Sequence, residues 1–90
     1  MIYTVVLVRE EEGGYSVSVP ALAGCHTQGD TLSEALDMAK EAILAYWDGE
    51  RELGKDMPPD VDEFVMDARE TTEAFVLKVT VPIREEVTVA

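Results

Sequence analysis

Sulfur chemistry and positive charge are what this sequence lacks most. A single cysteine, Cys25, leaves no internal disulfide to build. One histidine, His26, leaves too few soft ligands for a zinc site of three or four His and Cys side chains. Seven Lys and Arg stand against nineteen Asp and Glu, giving a formal net charge of −12. Such a chain repels phosphate backbones and anionic membranes, and its scattered basic residues form no nucleic-acid patch. No apolar run approaches the roughly 20 residues needed to cross a bilayer, and no basic stretch followed by an apolar core opens the chain. A cytoplasmic protein is expected. GCHTQG (24–29) has neither the lysine nor the glycine spacing of a phosphate loop.

What remains is an apolar fraction of 47% in 90 residues, enough for one domain with one two-layer core. Ile2 to Val8 is almost continuously apolar and β-branched, as in a strand buried on both faces. Its second face calls for cover, from another chain in this reading. Glu10, Glu11, Glu12, Gly13 and Gly14 make an acidic hairpin tip. Tyr15, Val17 and Val19 alternate with Ser16 and Ser18, a period of two with one apolar face. Pro20 ends that strand, Leu22 is expected in the core, and Gly24 turns the chain into a short strand, Cys25 to Gln28.

Thr31 and Glu34 form a capping box in front of a helix expected from about Leu32 to about Glu50. Leu32, Leu36, Ala39, Ile43 and Tyr46 form its apolar stripe, flanked by Ala35 and Ala42. Glu34, Asp37, Glu41 and Asp48 form the opposite, acidic face, which Leu44 interrupts as an exposed apolar residue. Gly49 or Gly54 ends the helix. Pro58 and Pro59 exclude a helix through the next segment, and a short helix is expected over Val61–Arg69. Ala74 to Val81 reads as a strand with Phe75, Leu77, Val79 and Val81 on its buried face, and Val87 to Val89 as a short terminal strand. The fold class is therefore α+β, β-β-β-α-β, a mainly antiparallel sheet with one helix on one face.

Chemistry has few places to sit. Cys25 and His26 are adjacent on a strand and point to opposite faces, so they neither share a metal nor form a nucleophile–base pair. Glu10, Glu12 and Asp30 end strands and are the candidates for a Mg²⁺-dependent nuclease, but solvated turn glutamates and a helix cap explain them as well. No cofactor is implied.

The stretch Tyr15 to Ile43, Y-x-V-x-x-P-x-L-x-G-C-x-T-Q-G-D-T-x-x-E-A-L-x-x-A-K-E-A-I, resembles the HicB-like family, the antitoxin partners of HicA-type toxins. The first strand, the acidic hairpin and Met57 to Pro59 fit the resemblance as well. It implies a partial RNase H-like fold without the nuclease's catalytic carboxylates, residues 1–90 forming a single HicB-like domain. It implies sequestration of a small, basic, mRNA-cleaving HicA-like toxin. Many members add a C-terminal DNA-binding module. The residues after Val81 are too few for one, so no direct nucleic-acid binding is expected. On this reading the acidic surface meets the toxin, and the residues singled out for it are Glu10, Glu11, Glu12, Asp37, Glu41, Leu44 and Asp48. A homo-oligomer, dimer or tetramer, is expected beside it. Two alternatives stand: an orphan oligomeric domain, and a divergent Mg²⁺-dependent nuclease.

Overall fold

The computed structural model describes residues 1–65 and 73–82. Four strands and one helix follow in the order β1 (Ile2–Arg9), β2 (Tyr15–Ser18), β3 (His26–Gly29), α1 (Leu32–Glu52) and β4 (Ala74–Thr80). The strands form one antiparallel sheet in the order β3-β2-β1-β4. This is the expected α+β fold. The third strand lies one residue later than its apolar pattern suggests. Cys25 stays outside it, buried, its carbonyl accepting from Val19 N–H at 3.1 Å.

Alternation sorts the side chains. Tyr3, Val5 and Leu7 on β1, Val17 on β2 and Val79 on β4 face α1 and are buried. Leu22, from the loop after Pro20, and Val19, Cys25 and Val81 complete this core. Gly24 takes φ +75°, the left-handed conformation that lets the loop turn back, and Cys25 N–H then donates to Leu22 C=O at 3.0 Å.

The helix begins where its capping residues place it. Thr31 Oγ1 accepts from Glu34 N–H at 3.1 Å. Gly54, not Gly49, terminates it. Gly54 adopts φ +69°, and Gly54 N–H and Lys55 N–H donate to the carbonyls of Arg51 and Glu50 at 3.0 and 2.8 Å. That is a Schellman closure, and it carries the helix two residues beyond the expected end.

The helix phase differs from the expected stripe. Ala35, Ala39 and Ile43 are fully buried, Leu36, Ala42 and Tyr46 pack at the margin, and Leu32 is exposed. The cause is contact with β3. A Cβ placed on Gly29 would lie 2.4 Å from Ala35 N and 2.6 Å from its Cα. The backbones of helix and strand therefore nearly touch, and only the smallest residues fit the contact line. Leucines are displaced to its edges.

Two further expectations are corrected. Residues 61–65 are not helical; the remainder of the short helix expected over Val61–Arg69, and the terminal strand at Val87–Val89, lie outside the described residues. Leu77 shares the helix-facing side of β4 with Val79 yet is 36% exposed. α1 packs closest to β3 and β2, which leaves the outer strand only partly roofed.

Replacing Gly29 by Ala should cost about 2 kcal/mol or more, because the atoms in the way are backbone and not a flexible side chain. In a domain of this size that is a fall in Tm of roughly 10 °C, read by thermal unfolding in circular dichroism. An unchanged Tm would show that the helix and β3 are not in backbone contact.

Candidate partner-binding surface

The hairpin tip is a tight acidic knuckle. Glu10 N–H donates to Gly14 C=O and Gly13 N–H to Glu10 C=O, both at 3.0 Å, with Gly13 and Gly14 at positive φ. Glu11 and Glu12 are left exposed at the apex. Glu10, also exposed, is held back along the strand by a hydrogen bond from Ser16 Oγ. A Cβ on Gly14 would lie 3.1 Å from Gly29 C=O, so the knuckle sits against the end of β3 where α1 starts.

Along α1, Glu34, Asp37, Glu41 and Asp48 are all exposed, and their spacing of three, four and seven puts them on one stripe. The hairpin foot lies next to Gly29 and Asp30, just before the helix begins. Asp48 lies roughly 20 Å further along the axis, at 1.5 Å per residue. The expected acidic residues are thus all exposed, but Glu10, bonded to Ser16 on the sheet face away from α1, does not share a face with the helix stripe. Leu44 differs from expectation. It is half-buried and packs against the core cluster, so it borders the acidic stripe without projecting from it. Trp47 and Arg51 continue that border, the guanidinium 4.7 Å from the ring centroid.

Of the nuclease candidates, Glu10 and Asp30 line one small cavity of about 130 Å³ at the hairpin foot, and Glu12 does not join them. Among the described residues, no three His, Cys, Asp or Glu side chains converge in a way that would hold a metal ion. Cys25 is buried and its thiol is pushed up by desolvation, which disfavours the thiolate a nucleophile needs. His26 is exposed.

A polar node that the sequence does not announce lies on the opposite face of the sheet. β2 pairs with β1 only from Val6 onward, so Thr4 N–H points past the end of β2 with no strand to receive it. Asp60 takes that place. Its carboxylate accepts from Thr4 N–H at 2.9 Å, Thr4 Oγ1 at 2.8 Å and Lys78 Nζ at 2.6 Å. Partial burial opposes the charge, but the bonds from Lys78, Thr4 and the Val61 backbone overcome it and bring the Asp60 carboxyl from 3.8 to about 2. Tyr3, whose hydroxyl donates to Pro58 C=O, anchors the same segment from the helix side. Burial first, then the nearby Asp60 and Tyr46, push its phenol up.

Beyond Asp60 the segment reaches the face of β1 that alternation leaves uncovered. Phe64 lines a cavity of about 280 Å³ with Val6, Ser18, Pro20 and His26, while Val65 at its rim is 99% exposed. Thr4 and Val6 are consequently 3% and 4% exposed. The chain itself, not a second one, covers this part of β1.

A family model described as the HicB_like antitoxin of bacterial toxin-antitoxin systems matches residues 3–86. The chain belongs to this antitoxin family. It is 48% identical over 60 residues to a UPF0150 protein of Thermoplasma acidophilum, a stretch covering 67% of this chain and 87% of that one. It is 44% identical over 48 residues to antitoxin HicB of Escherichia coli K12, covering 53% of this chain and 35% of that one. The chain therefore matches most of the first relative and about a third of the second. The fold is that of a solved HicA3 and HicB3 toxin-antitoxin complex chain, with TM-score 0.71 at 24% identity over 92% of this chain and 100% of that chain. The described residues include no helix long and apolar enough to cross a membrane.

Within this antitoxin fold the Asp60 node carries a pH dependence of definite sign. A carboxyl lowered on folding adds stability in full above its unfolded value near 3.8, lost as the pH falls toward about 2. Allowing for screening of the exposed Lys78 ammonium, the node contributes about 1–2 kcal/mol. Asp60→Asn should lose that amount at pH 7 by urea unfolding. Its deficit should shrink as wild type and variant are compared at lower pH, from about 4 down to about 2. A deficit that stays constant with pH would mean the ionised carboxylate is not what holds the segment.

Proposed function

We propose that this chain is a non-catalytic, protein-binding antitoxin domain that acts in the cytoplasm by sequestering a small, basic, mRNA-cleaving toxin of the HicA type. The observation that supports the reading is the exposure of the hairpin carboxylates Glu10, Glu11 and Glu12 and of the helix stripe Asp37, Glu41 and Asp48 in a domain of net charge −12. It is carried on a fold whose family consists of antitoxins. A toxin that grips RNA presents a basic surface, and carboxylates spaced along a ridge compete for it as phosphates do. Leu44, at the border of the ridge, supplies an apolar contact whose outer part remains accessible. The same charge keeps this domain off nucleic acid directly.

The test is association with the product of a neighbouring gene encoding a small basic protein, and inhibition of its RNA cleavage. Binding should weaken steeply between roughly 0.05 and 0.5 M salt. The triple variant Glu11→Lys, Glu12→Lys, Glu41→Lys should bind at least about tenfold more weakly and with a shallower salt dependence, while its Tm stays near that of the wild type. Isothermal titration calorimetry reads the affinity and its salt dependence, and thermal unfolding in circular dichroism reads the Tm. Binding that ignores both salt and charge reversal would remove the acidic ridge from the interface. Leu44→Lys should lower both Tm and affinity, because the side chain is shared between core and surface.

A further inference from the structure

The two faces of β1 are closed by different means. α1 closes one of them through a continuous apolar core, with Ile43 fully buried in it. Residues 60–64 lie over the other, at Thr4 and Val6. The root of this segment is firm on the helix side. There Met57 packs against the core, and the Tyr3 hydroxyl donates to Pro58 C=O.

Past that root the attachments are made by side chains. Among the described residues, 56–65 share no backbone–backbone hydrogen bond. The polar latch is the Asp60 carboxylate, which accepts from Thr4 N–H, Thr4 Oγ1 and Lys78 Nζ. Phe64, half-buried, enters the cavity beside Val6, and Val65 after it is 99% exposed. Water can take over the latch. The Lys78 side chain is 62% exposed, and β2 ends before it reaches Thr4, so solvent can accept from Thr4 N–H once Asp60 leaves. The neighbouring amides differ. Val81 N–H donates to Met1 C=O, and by alternation Tyr3 and Val5 spend their amides on β4, and Val6 spends its own on β2. Freeing those amides means taking the sheet apart.

We propose that residues 60–64 form a flap, rooted at Pro58 and Pro59 and latched by Asp60, that opens while the sheet and α1 stay folded and so bares the Thr4–Val6 face of β1. A segment held by side chains and no ladder opens at a lower free energy than the whole domain unfolds. The flap lies across the sheet from α1, so its movement leaves the acidic helix stripe in place. The inference is independent of toxin binding.

Its test is amide hydrogen exchange of this chain, read by NMR in urea below the unfolding transition. The Thr4 amide should exchange at least about tenfold faster than those of Tyr3, Val5 and Val6, after correction for intrinsic rates. Its rate should hardly change with urea, whereas theirs should rise steeply. Ile43→Val loosens the helix-side core. It should speed Val5 and Val6 about fivefold and leave Thr4 unchanged. Phe64→Ala should speed Thr4 at least about tenfold, because Phe64 and Asp60 lift together. Fraying of β1 alone would not respond to that change. A Thr4 amide that matches Val5 in rate and urea dependence overturns the inference. So does a Thr4 rate that follows Ile43→Val, or one that ignores Phe64→Ala.

Discussion

The contact between Gly29 and Ala35 sets the rest of the architecture. Because strand and helix backbones meet there without an intervening side chain, α1 is brought down on the β3 side of the sheet. Its contact line is then restricted to Ala35 and Ala39, with Ile43 admitted only further along. Larger side chains, Leu36 and Leu44, move to the flanks, and Leu32 leaves the core. The helix is thus seated off-centre. β1 and β2 receive a full roof, whereas β4 keeps Leu77 partly open beside Leu36 and Lys40.

That asymmetry divides the molecule's surfaces by chemistry. The outward stripe of α1 and the hairpin tip hold exposed carboxylates. The sheet's other face is closed near Thr4 and Val6 by the segment that Asp60 and Tyr3 tie down. The Asp60 carboxylate stands in for a missing length of β2, satisfying a backbone donor that would otherwise be left without an acceptor at the strand's edge. Among the described residues, Val76 and Leu77 of β4 are exposed apolar side chains, as are Ile2, Leu53 and Val65.

Much of this was legible in the chain. The continuous apolar run of β1, the Ser–Val alternation of β2, the Thr31–Glu34 cap and the exposure of Asp37, Glu41 and Asp48 all follow from local pattern. Those features depend on periods of two or 3.6 and on neighbours a few residues away. Leu44 was misplaced because a helical wheel shows which side a residue takes, not how far neighbouring elements wrap around the helix. Asp60 was missed because its partners, Thr4 and Lys78, are distant in sequence, and a lone aspartate after two prolines looks like any solvated loop residue. The non-helical course of 61–65 has the same origin, since its conformation is fixed by the sheet face it crosses.

The sequence by itself determined the order of the four described strands and the long helix, the helix start, the apolar content of the core and the sign of the overall charge. These arise from backbone sterics, side-chain periodicity and composition, all local. Only the tertiary structure decided the helix phase, the fate of the second face of β1, and how far the helix roofs each strand. Those depend on one close approach, Gly29 to Ala35, and one long-range polar node, Asp60 with Thr4 and Lys78, that exist only once distant segments are brought together.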